Sequence, residues 1–194
     1  IGDAKAQNLL GKMYYLGQGT PKNIPKGVAL LREAAKKGIP EAQGAIGYMH
    51  LIGESGALLD IKLAQDWMTK AANQGDVNSQ YNLAVMYGGK GIKEDPAKSS
   101  HWMRKAAEQG HKYALNNLAF MHQEGKGVAK DLVLAHMMYG ISYREGNIAG
   151  LKSQKKIAEK MSKTQIKNST ELIKKWQKYN QLPLISKTST TRKN

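Results

Sequence analysis

Five histidines, His50, His101, His111, His122 and His136, are the residues whose type invites metal binding or general acid–base work in this chain. No two of them form a His-x-x-x-His pair, and none stands in a zinc or nucleophile motif, so the spacing that sets two imidazoles on one helix face is missing. Cysteine is absent, which removes thiolate metal sites, disulfide frameworks and thiol nucleophiles together. Gly17-x-Gly19 is too short to cradle a phosphate. The acidic pair Glu94-Asp95 precedes a helix start, where the helix dipole favours negative charge. These residues point away from catalysis, and no enzyme activity, metal or cofactor is expected.

The elements that could position any site follow from composition and repetition. The chain has 194 residues with 30 Lys and Arg, 15 Asp and Glu and 41% hydrophobic residues, enough for one domain of about 150 residues or slightly more with a helical core. No stretch approaches the ~18 apolar residues of a membrane span. The charge is uneven: residues 147–194 carry 12 basic and 2 acidic side chains, so +10 of the net +15 lies at one end. An electrostatic partner would be drawn mainly there. The chain opens at Ile1 instead of Met, which is compatible with a removed leader, and a periplasmic or exported location is favoured slightly over the cytoplasm.

A period of about 36 residues runs through the chain. Ala34-Ala35-Lys36-Lys37-Gly38 recurs as Ala71-Ala72-Asn73-Gln74-Gly75, as Ala106-Ala107-Glu108-Gln109-Gly110 and more loosely as Ser142-Tyr143-Arg144-Glu145-Gly146. Eight residues before each glycine stands Leu30, Trp67, Trp102 or Met138, and seven before that Asn23, Asp60, Asp95 or Asp131. The short polar residues read as N-caps and the glycines as left-handed helix ends. A second register, Leu10-Gly11, Ile46-Gly47, Leu83-Ala84 and Leu118-Ala119, is followed by Tyr14, His50, Tyr87 and His122, and marks a first helix in each unit. Its small residues let paired helices approach closely, and the two histidines read as packing positions. An α/α solenoid follows, with repeats at about 3–38, 39–75, 76–110 and 111–146.

The pattern Ala-x-x-x-Leu-Gly-x-x-Tyr-x-x-Gly-x-Gly, then Asp, then Ala-x-x-Trp-x-x-x-Ala-Ala-x-x-Gly resembles the Sel-1-like repeat, a relative of the tetratricopeptide repeat. Ala6 to Gly19 carry it in the first copy, Asp60, Ala64, Trp67, Ala71 and Gly75 in the second, and Asp95, Trp102, Ala106 and Gly110 in the third. Departures are Leu30 and Met138 for the aromatic, His50 and His122 for Tyr, and Ser55 for a loop glycine. The resemblance implies a right-handed, all-α superhelix whose concave face is lined by first-helix residues. Carried onto this chain, that face holds Asn8, Lys12, Tyr15, Tyr48, Asn78, Tyr81, Asn82, Tyr113, Asn116, Asn117 and Phe120. Asparagine both donates and accepts, and aromatic rings supply contact area at low entropic cost, as protein-binding grooves require. The resemblance further implies a non-catalytic bacterial adaptor, regulator or inhibitor that holds a protein or peptide partner. An envelope component is one such partner, and neutralisation of a secreted toxic effector by an immunity protein is the narrowest version.

The end of the chain completes the architecture. Ile148, Leu151, Ile157 and Met161 predict one helix, and Ser162-Lys163-Thr164-Gln165 is a capping box opening a second that carries Ile166, Ile173, Trp176 and Tyr179. This pair, residues 147–180, is expected to cover the last repeat, so that 1–180 form one solenoid domain. Residues 181–194 read as a disordered basic tail. Lys155, Lys156, Lys160, Lys167, Lys174 and Lys175 give the pair a basic surface, and the alternative function is binding of nucleic acid or an anionic membrane through it.

Overall fold

The computed structural model describes residues 3–179, with side chains as far as Trp176. The tail expected at 181–194 lies outside the described residues. Among the described residues the chain forms ten α-helices and no strand: α1 (Ala4–Leu16), α2 (Ile24–Lys36), α3 (Pro40–Ile52), α4 (Ile61–Asn73), α5 (Val77–Tyr87), α6 (Pro96–Glu108), α7 (Lys112–Glu124), α8 (Leu132–Arg144), α9 (Ile148–Ala158) and α10 (Lys163–Tyr179). This is an all-α helical-repeat fold.

The punctuation works as its chemistry dictates. Asn23, Asp60, Asp95 and Asp131 accept hydrogen bonds at their side chains from the backbone amides of Lys26, Leu63, Lys98 and Leu134, which satisfies donors that the first turn leaves orphaned. Pro25 and Pro96 sit in first turns, where a missing N–H costs nothing. The repeat-ending glycines Gly38, Gly75, Gly110 and Gly146 have φ between +79° and +96°, a backbone an L side chain avoids.

Two compact units form, one up to His111 and one from Lys112. In the first, each helix of α1–α6 packs on the next in chain order. Close approach rests on small residues. A Cβ on Gly47 would meet the Met68 side chain at 2.8 Å, and one on Gly27 would meet the Tyr15 amide nitrogen at 2.7 Å and the Gly11 carbonyl at 2.8 Å. Val28, Leu31, Ala42, Ile46 and Met49 make one core cluster, and Met68, Ala72, Leu83 and Met86 a second. Each such large side chain contributes about 1.5–3 kcal/mol by leaving water. Trp67 and Trp102, at the repeat's aromatic register, are partly buried and pack against these clusters, with Lys70 and Lys105 over their rings.

Glutamines tie the helix pairs together, a feature absent from the sequence reading. Gln43 on α3 donates to the Ala35 carbonyl at the end of α2 and accepts from Gln74. Gln80 on α5 repeats the arrangement with the Ala72 carbonyl and Gln109. Both glutamines are buried, and each satisfies a carbonyl of a preceding second helix while holding the end of its own.

The second unit centres on α8, buried continuously from Leu134 to Ser142 because α7, α9 and α10 all pack on it. The expected capping box is present, Ser162 and Gln165 exchanging bonds of 2.9 and 3.2 Å. Ile173 and Trp176 are buried; the Tyr179 side chain lies outside the described residues.

Candidate functional site

Polar clusters that could do chemistry resolve into packing. Ser169 and His136 approach to 2.7 Å, but both are buried between α8 and α10, and the serine oxygen also donates to the Ile166 carbonyl. Desolvation holds His136 below the ordinary histidine pKa, which favours a neutral ring suited to its apolar surroundings. Tyr139 on the same helix is pushed up to about 12 by burial and the charge of Glu124, so it stays a phenol that donates to Gln123. His50 and His122 turn Nδ1 toward the loop carbonyls of Leu58 and Ala129, at 3.1 and 3.0 Å. Among the described residues no group of three His, Asp or Glu is placed to hold a metal, and no helix is long and apolar enough to cross a membrane.

What remains is surface, and the first helices carry its distinctive part. On α3 of the first unit Tyr48 is 47% exposed, with Ile52 one turn later also open. Asn78 on α5 is exposed, while Lys12 and Asn82 are half-buried. Tyr81 is half-buried and stacked on His111, ring centres 4.5 Å apart. Tyr15 behaves differently from its neighbours: it packs against the core around Val28 and Ile46, and its hydroxyl lies 3.1 Å from Ser55 Oγ. It braces the α3–α4 loop. Asn8 is half-buried and its carboxamide oxygen is shut from solvent. Its register is that of Gly44, where a Cβ would touch Ser79 Oγ at 2.5 Å and Asp76 at 2.9 Å, so these positions turn toward the seam between neighbouring first helices.

In the second unit α7 presents Tyr113 and Phe120, 49% and 50% exposed. Asn117 between them is half-buried, and Asn116, at the seam register, has its carboxamide oxygen enclosed like that of Asn8. The basic residues Lys155, Lys156, Lys160, Lys167, Lys174 and Lys175 are all exposed, and among the described residues none of them is in an ion pair.

Two exposed features escaped the sequence reading. Leu58 and Leu59 stand in the α3–α4 loop where the corresponding loops carry Pro21-Lys22, Lys93-Glu94 and Ala129-Lys130, and both are exposed. Comparing the four loops in register would have found them. The same loop holds Ser55 at φ +59°, the conformation its glycine counterparts adopt without penalty. Ser55 and Gly56 line a cleft of about 540 Å³ with Ile24, Pro25, Val28, Ala29 and Arg32.

The Sel1 repeat model matches residues 4–39, 40–76, 77–111 and 112–147, four contiguous copies whose ends fall one residue after the glycine boundaries. The chain belongs to the Sel1 repeat family. Solved structures agree: a Sel1 repeat protein from Oxalobacter formigenes is 28% identical with a TM-score of 0.72, over 79% of this chain and 63% of that one. A protective antigen of uropathogenic Escherichia coli strains, which displays the SLR fold, is 24% identical with a TM-score of 0.54, over 95% of this chain and 50% of its own. A Sel1 repeat protein from Klebsiella pneumoniae, 22% identical with a TM-score of 0.50, matches over 81% and 78% respectively. The chain thus spans less than two thirds of the first two. Sel1 repeat proteins generally mediate protein–protein interaction and typically act as non-catalytic scaffolds.

Proposed function

We propose that this Sel1 repeat chain is a non-catalytic adaptor or inhibitor that holds one protein partner against its first-helix faces. The observation that carries the reading is the set of large side chains left open there: Tyr48 and Ile52 on α3, Tyr113 and Phe120 on α7. The opposite faces of these helices are spent on core packing, so the exposed side chains contribute little to the fold. Half-buried asparagines beside them offer donors and acceptors to an extended backbone. Aromatic anchors of this kind contribute about 2 kcal/mol each to a complex. Inhibition of a secreted toxic effector in a bacterium is the narrowest form of this function.

The test is affinity capture from the source organism at low salt and at ~0.5 M salt, where the Debye length shrinks to a few ångströms. The captured protein is then titrated against Tyr48→Ala and Phe120→Ala. Loss of about 30-fold in affinity for either variant supports the reading; a partner indifferent to both refutes it. If that partner is a toxin, its activity in the presence of the chain decides the inhibitor form.

A second reading has one observation in its favour, the lysines of α9 and α10, exposed and in no ion pair among the described residues. The apolar side of α10, with Ile173 and Trp176, is already buried, which leaves phosphate neutralisation as the mode of contact. Binding through it would collapse between low and high salt.

A further inference from the structure

The loop between α3 and α4 is the longest of the four that join a first helix to its second. Its N-cap amide bonds back across ten residues, from Asp60 to the His50 carbonyl, where the other repeats span nine, eight and nine. The longer loop carries Leu58 and Leu59, 85% and 66% exposed, with the exposed carboxylate of Asp60 directly after them. Ser55 Oγ lies 3.1 Å from the Tyr15 hydroxyl and ties the start of the loop to α1, so the leucines are held out in a fixed place.

The cleft of about 540 Å³ begins on the same loop, at Ser55 and Gly56, and is of a size that accepts whole ligand groups. Its α2 wall is apolar. Counted from the N-caps, the +2, +5 and +6 positions are Pro25, Val28 and Ala29 on α2 but Lys62, Gln65 and Asp66 on α4. Lys62 and Asp66 pair with each other, and Gln65 donates to the Tyr87 hydroxyl. The apolar wall is therefore particular to α2. Arg32, one turn beyond Val28, also lines the cleft, and it is exposed and in no ion pair among the described residues.

These features specify an occupant: aliphatic side chains next to a carboxylate. The chain itself displays that segment as Leu58-Leu59-Asp60. Asp60 spends Oδ1 on the Leu63 amide, and its side chain is otherwise open to a cation. The wider charge agrees, since residues 1–38, which bear the cleft's α2 wall, carry seven basic and two acidic side chains, and residues 39–75, which bear the loop, carry two basic and four acidic. We propose that the α3–α4 loop and the α2 cleft are the two halves of one self-association surface. In a pair related by a two-fold axis, the loop of each copy enters the cleft of the other, with Leu58 and Leu59 on the Val28–Ala29 wall and Asp60 facing Arg32. Because the two halves adjoin in one chain, a single axis engages both at once. The surface shares no residue with the partner surface on α3 and α7.

An interface this small belongs to the weak class, so sedimentation velocity of the 194-residue chain should show a dimer growing in between about 10 µM and 1 mM. Leu58→Asp and Arg32→Glu change exposed side chains, so the fold is kept, and each strikes both contacts of the pair. Each should weaken the dimer about tenfold or more. Because the chain has no cysteine, the docking itself can be read by mixing a Leu58→Cys chain with a tagged Ala29→Cys chain under oxidation. The mixed disulfide should form faster than either like-with-like product, and Arg32→Glu in the Ala29→Cys chain should slow it. A chain that stays monomeric to ~1 mM overturns the proposal and leaves the cleft to a different protein. A dimer indifferent to Leu58→Asp and Arg32→Glu overturns it as well, as does a Leu58→Cys chain that links only to itself, since the loops then meet each other and not the clefts.

Discussion

Truncating the buried glutamine of the second clamp, Gln80→Ala, measures how firmly the first helices are held in register. The side chain makes two bonds, donating to the Ala72 carbonyl at 3.1 Å and accepting from Gln109 at 2.8 Å. Neither partner is stranded by the change: the Ala72 carbonyl keeps the Gly75 amide, and Gln109 keeps the Gly75 carbonyl at 3.0 Å. The expected cost is therefore two net hydrogen bonds at about 1 kcal/mol each plus about 0.8 kcal/mol for a lost buried methylene, roughly 3 kcal/mol in all. Hydrogen exchange in the first unit is the assay, with the slowest α4 and α5 amides expected to exchange roughly 100-fold faster. Gln109→Ala removes the same shared bond, so the double variant should fall short of the summed single costs by about 1 kcal/mol. Gln80→Leu should be milder, near ~1 kcal/mol, since leucine fills this register as Leu115 in the fourth repeat. A cost below about 0.5 kcal/mol for Gln80→Ala, or strict additivity with Gln109→Ala, would refute the clamp.

Three other outcomes follow from particular contacts. Ser55→Gly removes about 1–2 kcal/mol of left-handed strain but forfeits the Tyr15 hydroxyl contact, so Tm should hold or rise slightly, and Tyr15→Phe should cost nothing further in that background. Gly27→Ala should lower Tm although alanine is the better helix former, because the new methyl meets backbone of α1 that cannot rotate away, at a cost of about 1–3 kcal/mol. His136 titrates below its unfolded value near 6.5, so below that pH the unfolded chain takes up a proton that the folded chain resists. Stability should fall as pH drops from about 6.5 toward the lowered folded value and be unaffected by this group above pH ~7.5; thermal melts across pH ~5–8 should show a flatter profile for His136→Gln.

The architecture was legible because its punctuation is chemical. Four N-caps and four left-handed glycines can be read without knowing any neighbour, since each acts on its own backbone. The candidate surface was legible only in part. The carry-over placed Tyr48, Tyr113 and Phe120 on helices that do expose them, but it could not tell that Tyr15 bends back to Ser55 or that the register of Asn8 and Asn116 turns into a seam. Those directions depend on which helix lies alongside, and a single strand of sequence carries that information only through contrast between repeats. The glutamine clamps show the same limit: Gln43 and Gln80 look like surface polar residues until the carbonyls of a different helix pair are set against them.

Contrast between repeats also explains why Tyr and His alternate at one register. In the first and third repeats Tyr14 and Tyr87 are accompanied three residues after the N-cap by Lys26 and Lys98; in the second and fourth, His50 and His122 are accompanied by Leu63 and Leu134. Lys26 donates to the Tyr14 hydroxyl at 2.8 Å and lies over its ring, which lowers the phenol pKa, and Lys98 lies over the Tyr87 ring. Histidine is shorter and spends Nδ1 on the loop carbonyl instead, so a lysine there would find no hydroxyl and leucine takes its place. In all four repeats the backbone amide of the N-cap bonds to the carbonyl of the Tyr or His residue, at 2.8 to 3.0 Å. The two side-chain pairs are thus alternative ways of fixing one loop geometry. A loop fixed by its own residues leaves the exposed positions of the preceding first helix, Tyr48 and Phe120 among them, free of the task of holding that loop.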